Sequence, residues 1–209
     1  MYNTRNNKNF VKLFDGKTYD GWKMAGKGNF LIIESEKSLL TQGGMGLLWY
    51  YKKKFKDFLL TLEWKVTNRS DNSGVFVRFP NPSNDPNVAI DYGYEIQIDD
   101  IGSPDGKPIH RTGAIYNYKG PSPKTKSTSK PLVVGRWNIF EIYVIQQYYS
   151  VTLNKEKVVT NFVGDKSLEG FIGLQNHDDR SKVYFRNIMI KELKTKDSLY
   201  SIGMYSNIL

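Results

Sequence analysis

Residues 58–66 read "FLLTLEWKV". Phe58, Leu60, Leu62, Trp64 and Val66 occupy every second position, with Leu59, Thr61, Glu63 and Lys65 between them. Side chains on an extended strand point alternately to opposite faces, so this period of two describes a strand with one face against a core. "NIFEIYVI" (138–145) repeats the pattern, with Phe140, Ile142 and Val144 on one side and Glu141 on the other. Working outward, strands are expected near 30–33, 47–51, 58–67, 73–79, 93–99, 113–118, 137–145, 148–153, 157–162, 170–176 and 182–192. The segments between them, "DGKTYDG", "SDNSG", "PNPSNDPN", "GSPDGKP", "KGPSPKTKSTSKP" and "GDKSLEG", carry turn residues. No segment has a long apolar stripe of helical period. Many short antiparallel strands with few helices predict an all-β sandwich or jelly roll.

Composition agrees. Aromatic residues make up 14% of the 209 residues, an enrichment that favours strands. The length suits one large β domain. There is no cysteine, which excludes disulfides, thiolate metal sites and cysteine nucleophiles. No run approaches the roughly 20 apolar residues of a membrane span. The start, "MYNTRNNKNF", has no apolar leader core, so a cytoplasmic protein is the default, or a secreted or periplasmic one if a leader has been removed. Residues 1–9 are expected to be disordered, 119–131 to form a mobile loop, and 194–209 to be a tail of undecided role. The net charge of +9 comes from scattered lysines without a nucleic-acid motif, so nucleic acid is not an expected partner.

Chemistry is concentrated in "YGYEIQIDD" (92–100). If Tyr94, Ile96 and Ile98 face the core, Glu95, Gln97 and Asp99 line the other face, roughly 6.7 Å apart along the strand. Glu95 and Asp99 then lie about 13 Å apart, beyond the roughly 5–9.5 Å of a paired-carboxylate glycosidase. Any mechanism therefore needs a partner from another strand. The same alternation puts Phe76 and Arg78 opposite Val75 and Val77, and Gln175 and His177 opposite Ile172 and Leu174. Arg78 has the planar fork that suits carboxylate or sugar oxygens. His177, one of two histidines beside His110, has the side chain most used for proton transfer near neutrality. Asp99, Asp100 and Asp105 could hold a hard cation with loop carbonyls, or be ordinary turn aspartates.

Six blocks in series, "VKLFDGKTYDGW" (11–22), "FLLTLEWKVTNRSDNSGVFVRF" (58–79), "YEIQIDD" (94–100), "HRTGAIYNY" (110–118), "GRWNIFEIYV" (135–144) and "GFIGLQNHDDRSKVYFRNIMIKEL" (170–193), resemble the 3-keto-disaccharide hydrolase family. The resemblance covers residues 10–193. It implies a single concanavalin A-like jelly-roll β-sandwich of two antiparallel sheets, with carbohydrate bound on its concave face. It implies cleavage of glycosides whose C3 is already a ketone, by removal of the acidified C2 proton and expulsion of the C1 aglycone, followed by hydration. Position by position it carries over Arg78, Glu95, Gln97, Asp99, Tyr116, Gln175 and His177. Glu95 and His177 become the expected base and acid, and Arg78, Gln97, Asp99, Tyr116 and Gln175 the expected sugar contacts. A divalent metal (Ca, Mn or Mg) would fit this chemistry as a polariser of the ketone. The competing reading is a non-catalytic, lectin-like module on the same fold, with Trp49, Tyr50 and Tyr51 as stacking platforms.

Overall fold

The structure, a computed structural model, describes residues 9–122 and 132–194. The expectations for residues 1–8, for most of the 119–131 loop and for the tail beyond 194 lie outside the described residues. Thirteen strands are described: β1 (Val11–Lys12), β2 (Trp22–Gly26), β3 (Asn29–Ile33), β4 (Ser38–Gln42), β5 (Gly46–Phe55), β6 (Phe58–Val66), β7 (Asn72–Phe79), β8 (Tyr94–Asp99), β9 (Asn138–Ile145), β10 (Tyr148–Leu153), β11 (Glu156–Val163), β12 (Gly170–Asn176) and β13 (Val183–Glu192). One short helix, α1 (Asn87–Tyr92), precedes β8. No helix among the described residues is long and apolar enough to cross a membrane.

The strands form two antiparallel sheets. The larger runs β11-β10-β9-β6-β13-β4-β3, with β1 added to β13, and the smaller runs β2-β5-β12-β7-β8. Their facing sides make the main core. β6 contributes Phe58, Leu60, Leu62, Trp64 and Val66, and β9 contributes Phe140, Ile142 and Val144, as the alternation requires. The smaller sheet answers with Val75, Val77, Tyr94, Ile96, Ile98, Ile172 and Leu174. Removing this much apolar surface from water is the main favourable term, at roughly 25 cal/mol per Å².

The outer face of the smaller sheet is divided. Toward one end, Ala25, Leu47, Trp49, Phe76, Phe79 and Phe171 pack with Ala89 of α1 into a second apolar cluster. The 80–93 segment is tied down there by Gly26 N–H, which donates to Asn84 O at 3.0 Å. Toward the other end the same face carries the polar ladder of β8.

Three sequence expectations need correction. Residues 113–118 do not form a strand; they run along the free edge of β8, making only isolated bridges at Ile96–Ile115 and Ile115–Lys119. β1, β2 and β4 were not foreseen, nor was α1, which starts at the last residue of "PNPSNDPN" (80–87). Arg78 lies on the core side rather than on the ladder's side. Its backbone adopts a left-handed φ of 59°, and the pairing with β12 slips there from Val77–Ile172 to Phe79–Phe171. This one-residue bulge inverts the alternation.

Candidate functional site

β8 is the outer strand of the smaller sheet, and its register with β7 sets the site's layout. Asp99 pairs with Asn72, Gln97 with Gly74, and Glu95 with Phe76. Phe76 pairs in turn with Gly173 of β12, and Leu174 with Val75, so Gln175 falls one step further, beside Gly74. Gln97, Gly74 and Gln175 therefore form one row across the sheet, and Glu95, Phe76 and Gly173 the next. On the open edge of β8, Tyr116 N–H donates to Glu95 O at 2.9 Å, which seats the tyrosine beside the same row.

Gly74 makes room for the central carboxyl. A Cβ at this position would lie 2.0 Å from Glu95 Oε1 and 2.6 Å from its Cγ. The Glu95 side chain therefore lies over the Gly74 backbone. It is only 8% exposed, and burial pushes its carboxyl up from the ordinary 4.5 to about 8. The Tyr116 hydroxyl is pushed up as well, first by burial and then by the negative charges of Glu95, Asp99 and Asp105. A buried carboxyl with a raised pKa on a polar sheet face is a candidate for proton transfer.

The remaining candidates are distributed as follows. Gln97 Nε2 donates to Asn72 Oδ1 at 3.3 Å, and Asn72 Nδ2 donates to Asp99 Oδ2 at 3.2 Å. The outer end of the Gln97 amide lies 3.0 Å from Glu95 Oε1. Gln175 is buried, and its Oε1 is a buried acceptor without a hydrogen-bond partner. Asp99 is fully buried; besides Asn72 it accepts from the N–H groups of Ile101, Gly102 and Ser103. It anchors the turn and the amides rather than presenting a free carboxylate.

Arg78 is not part of this face. Its guanidinium is fully buried and donates to the carbonyls of Lys56, Gln146 and Ser167 and to Asp57 Oδ1, tying three loops together at the sandwich's end. His177 follows β12, four residues beyond Gly173, and so lies about 13 Å along the strand from the Glu95 row. Its side chain is 45% exposed, and Nδ1 lies 3.0 Å from Asp178 Oδ2. It stands away from the Glu95 row, toward solvent.

The sequence reading passed over His110. Its Nδ1 lies 2.7 Å from Asp105 Oδ1, its Nε2 2.8 Å from Asn117 Oδ1, and its ring packs against Tyr116 with centroids 5.0 Å apart. It braces the tyrosine that faces Glu95. The only sequence signal was its place six residues before Tyr116 in "HRTGAIYNY".

The three aspartates considered for a cation are otherwise engaged. Asp100 pairs with Arg69 and accepts from Leu132 N–H, and Asp105 is held well below the usual carboxylate range by Lys107 and then His110. Among the described residues no group of three or more His, Asp or Glu side chains converges as a metal site would require. The stacking platforms of the lectin-like reading are split between the two faces of β5. Trp49 is buried against Phe171 on the outer face, and Tyr50 packs on Trp22 toward the core; Tyr51 is exposed beside Trp49, with Lys23 over its ring.

The two antiparallel sheets define a β-sandwich of the jelly-roll class. Residues 9–191 match the family described as the 3-keto-alpha-glucoside-1,2-lyase-like domain, and the chain belongs to that family. The 3-keto-disaccharide hydrolase of Bacteroides thetaiotaomicron is 28% identical to it, over 88% of this chain and 78% of that protein. Two crystal structures of candidate glycosyl hydrolases from Parabacteroides distasonis ATCC 8503 share the architecture. One superposes with a TM-score of 0.71 at 24% identity, covering 89% of this chain and 94% of its own. The other gives 0.67 at 26% identity, covering 88% and 99%. The carbohydrate-binding module CBM66 of Bacillus subtilis, at 13% identity and a TM-score of 0.56 over 82% of this chain and 96% of its own, shares the fold alone. The function is thus of the carbohydrate-hydrolase kind.

Proposed function

We propose that this protein cleaves 3-keto-glycosides by elimination, and that Glu95 carries the proton. In the first step the Glu95 carboxylate takes the C2 proton, and the C–H electron pair moves toward the C3 carbonyl as an enolate. In the second the enolate re-forms the ketone, C1=C2 forms, and the C1–O bond breaks. The departing oxygen takes the proton held by Glu95, so the carboxylate is regenerated. Addition of water across C1=C2 then gives the free 3-keto sugar, and the net change is hydrolysis.

The observation that carries this reading is the buried Glu95 carboxyl in its Gly74 cradle. An ordinary carboxylate is a weak base for a proton on carbon, whereas one poised near 8 is far better matched. The cost is that about nine-tenths of it is protonated at pH 7. Tyr116 flanks the same row; the tyrosine, kept neutral, offers an O–H to the developing enolate oxygen. One carboxyl acting twice also needs no second carboxylate at glycosidase spacing. We assign His177 to the rim, where it meets the aglycone. The test is release of aglycone from a 3-keto-glucoside by wild type and by Glu95→Gln. Glycan binding with no turnover of any such substrate would instead favour the lectin-like module.

A further inference from the structure

The side chain of Tyr116 depends on one neighbour. Its N–H donates to Glu95 O at 2.9 Å, which fixes the backbone beside the Glu95 row but leaves the phenol free to turn. Among the described residues the hydroxyl has no hydrogen-bond partner, and the ring meets one other ring, that of His110, at a centroid distance of 5.0 Å and a tilt of 39°. The hydroxyl is within reach of Glu95: after burial, the Glu95 charge is what most raises its pKa.

His110 is itself held from both sides. It closes the short turn Pro108–His110 and is only 8% exposed. Nδ1 lies 2.7 Å from Asp105 Oδ1, and the other oxygen of Asp105 pairs with Lys107 Nζ at 2.7 Å. A carboxylate can only accept, so the proton on Nδ1 is fixed. Nε2 lies 2.8 Å from the Asn117 side chain. An amide can meet a ring nitrogen with either end, so this second tether holds whichever way Asn117 turns. Asn117 is anchored in turn, because its N–H donates to Ile109 O at 3.2 Å. With both nitrogens tethered, the imidazole cannot rotate without breaking two hydrogen bonds.

We propose that His110, tethered by Asp105 and Asn117, is a positioning residue that aims the Tyr116 hydroxyl at the Glu95 row, where the enolate oxygen forms. The role rests on the elimination reading for its purpose and on the His110 contacts for its geometry. A donor stabilises a developing charge most when it is already in place, and a fixed ring against Tyr116 settles its orientation before substrate arrives.

The kinetic test is a double-mutant cycle on a 3-keto-glucoside. Tyr116→Phe removes the donor and should lower kcat by about 10²–10³. His110→Ala should lower kcat by about 10–100-fold with KM within about threefold. In a Tyr116→Phe background the same change should cost less than about threefold. His110→Phe, which keeps a ring beside Tyr116 but neither tether, should fall between wild type and His110→Ala, and takes its place in the cycle if His110→Ala does not fold. An equal cost in both backgrounds would overturn the proposal, since His110 would then act on something other than the hydroxyl. A second readout needs no substrate. In Tyr-labelled protein the Tyr116 ¹³Cζ signal, assigned by its loss in Tyr116→Phe, should step near pH 8 as Glu95 ionises, and Glu95→Gln should abolish the step. His110→Ala should shrink or erase it while the Glu95 carboxyl still titrates; a full step in that variant overturns the positioning role. A step that shrinks as expected, in a protein that cleaves no 3-keto-glycoside, would refute the elimination and leave the placement of Tyr116 by His110 standing.

Discussion

Replacing Gly74 with alanine tests the cradle most sharply. Gly74 has no left-handed backbone, so alanine suits its φ and ψ, and on backbone grounds Gly74→Ala should stabilise by about 0.4–1 kcal/mol. The new Cβ, however, would stand 2.0 Å from Glu95 Oε1 and 2.7 Å from its Cδ, far inside contact distance. Either the Glu95 side chain leaves its seat or β7 and β8 spread, and overpacking of that kind costs about 1–3 kcal/mol. In a Glu95→Ala background the obstacle is gone, and the same substitution should be neutral or stabilising. The backbone gain cancels, and a double-mutant cycle read by urea unfolding should thus return a coupling of about 1–3 kcal/mol. In otherwise wild-type protein, kcat should drop on the order of a hundredfold, the scale of a misplacement of about 1 Å. If Gly74→Ala costs the same with and without the Glu95 side chain, the carboxyl does not lie over Gly74 and the site has been drawn wrongly.

Three further outcomes are expected. Because burial raises Glu95 from 4.5 to about 8, the folded state holds a proton that the unfolded chain has released. Stability contributed by this group should be complete below pH 4.5, fall by about 1.4 kcal/mol per pH unit between there and pH 8, and be level above; the difference between wild type and Glu95→Gln in urea unfolding isolates it. Arg78→Ala should cost about 3–5 kcal/mol, since it removes a fully buried cation that several loop carbonyls and the half-buried Asp57 carboxylate share, while leaving the pH profile of the remaining folded enzyme in place. His177→Ala, on the rim, should raise KM by less than about tenfold and leave kcat within a factor of about three, measured on a 3-keto-glucoside with a bulky aglycone.

Much of this was legible from alternation. "FLLTLEWKV" and "NIFEIYVI" placed their apolar residues in the core, and "YEIQID" placed Tyr94, Ile96 and Ile98 there with Glu95 and Gln97 opposite. Three kinds of information were hidden. The left-handed bulge at Arg78 leaves no mark in "VFVRF", yet it moves the arginine from the supposed site to the sandwich's end. β2 reads "WKMAG" and β4 "SLLTQ", whose mixed ends blur the period that longer strands show, and both owe their state to pairing with β5 and with β3 and β13. The site itself joins residues far apart in sequence. Asn72 meets Gln97 across 25 positions, and only the β7–β8 register tells that the glycine under Glu95 is Gly74. The family resemblance carried over a set of motif residues without telling that Arg78 lies at the sandwich's end and His177 beyond the end of β12.

The central claim is that Glu95 performs the proton transfer of a 3-keto-glycoside elimination. The direct measurement is kcat/KM for aglycone release from a 3-keto-glucoside between pH 5 and 10, in wild type and Glu95→Gln. The account predicts a tenfold rise per pH unit that levels near pH 8, and loss of turnover by at least a thousandfold in the variant. Wild-type turnover that is independent of pH across this range, or that survives in Glu95→Gln, would contradict it.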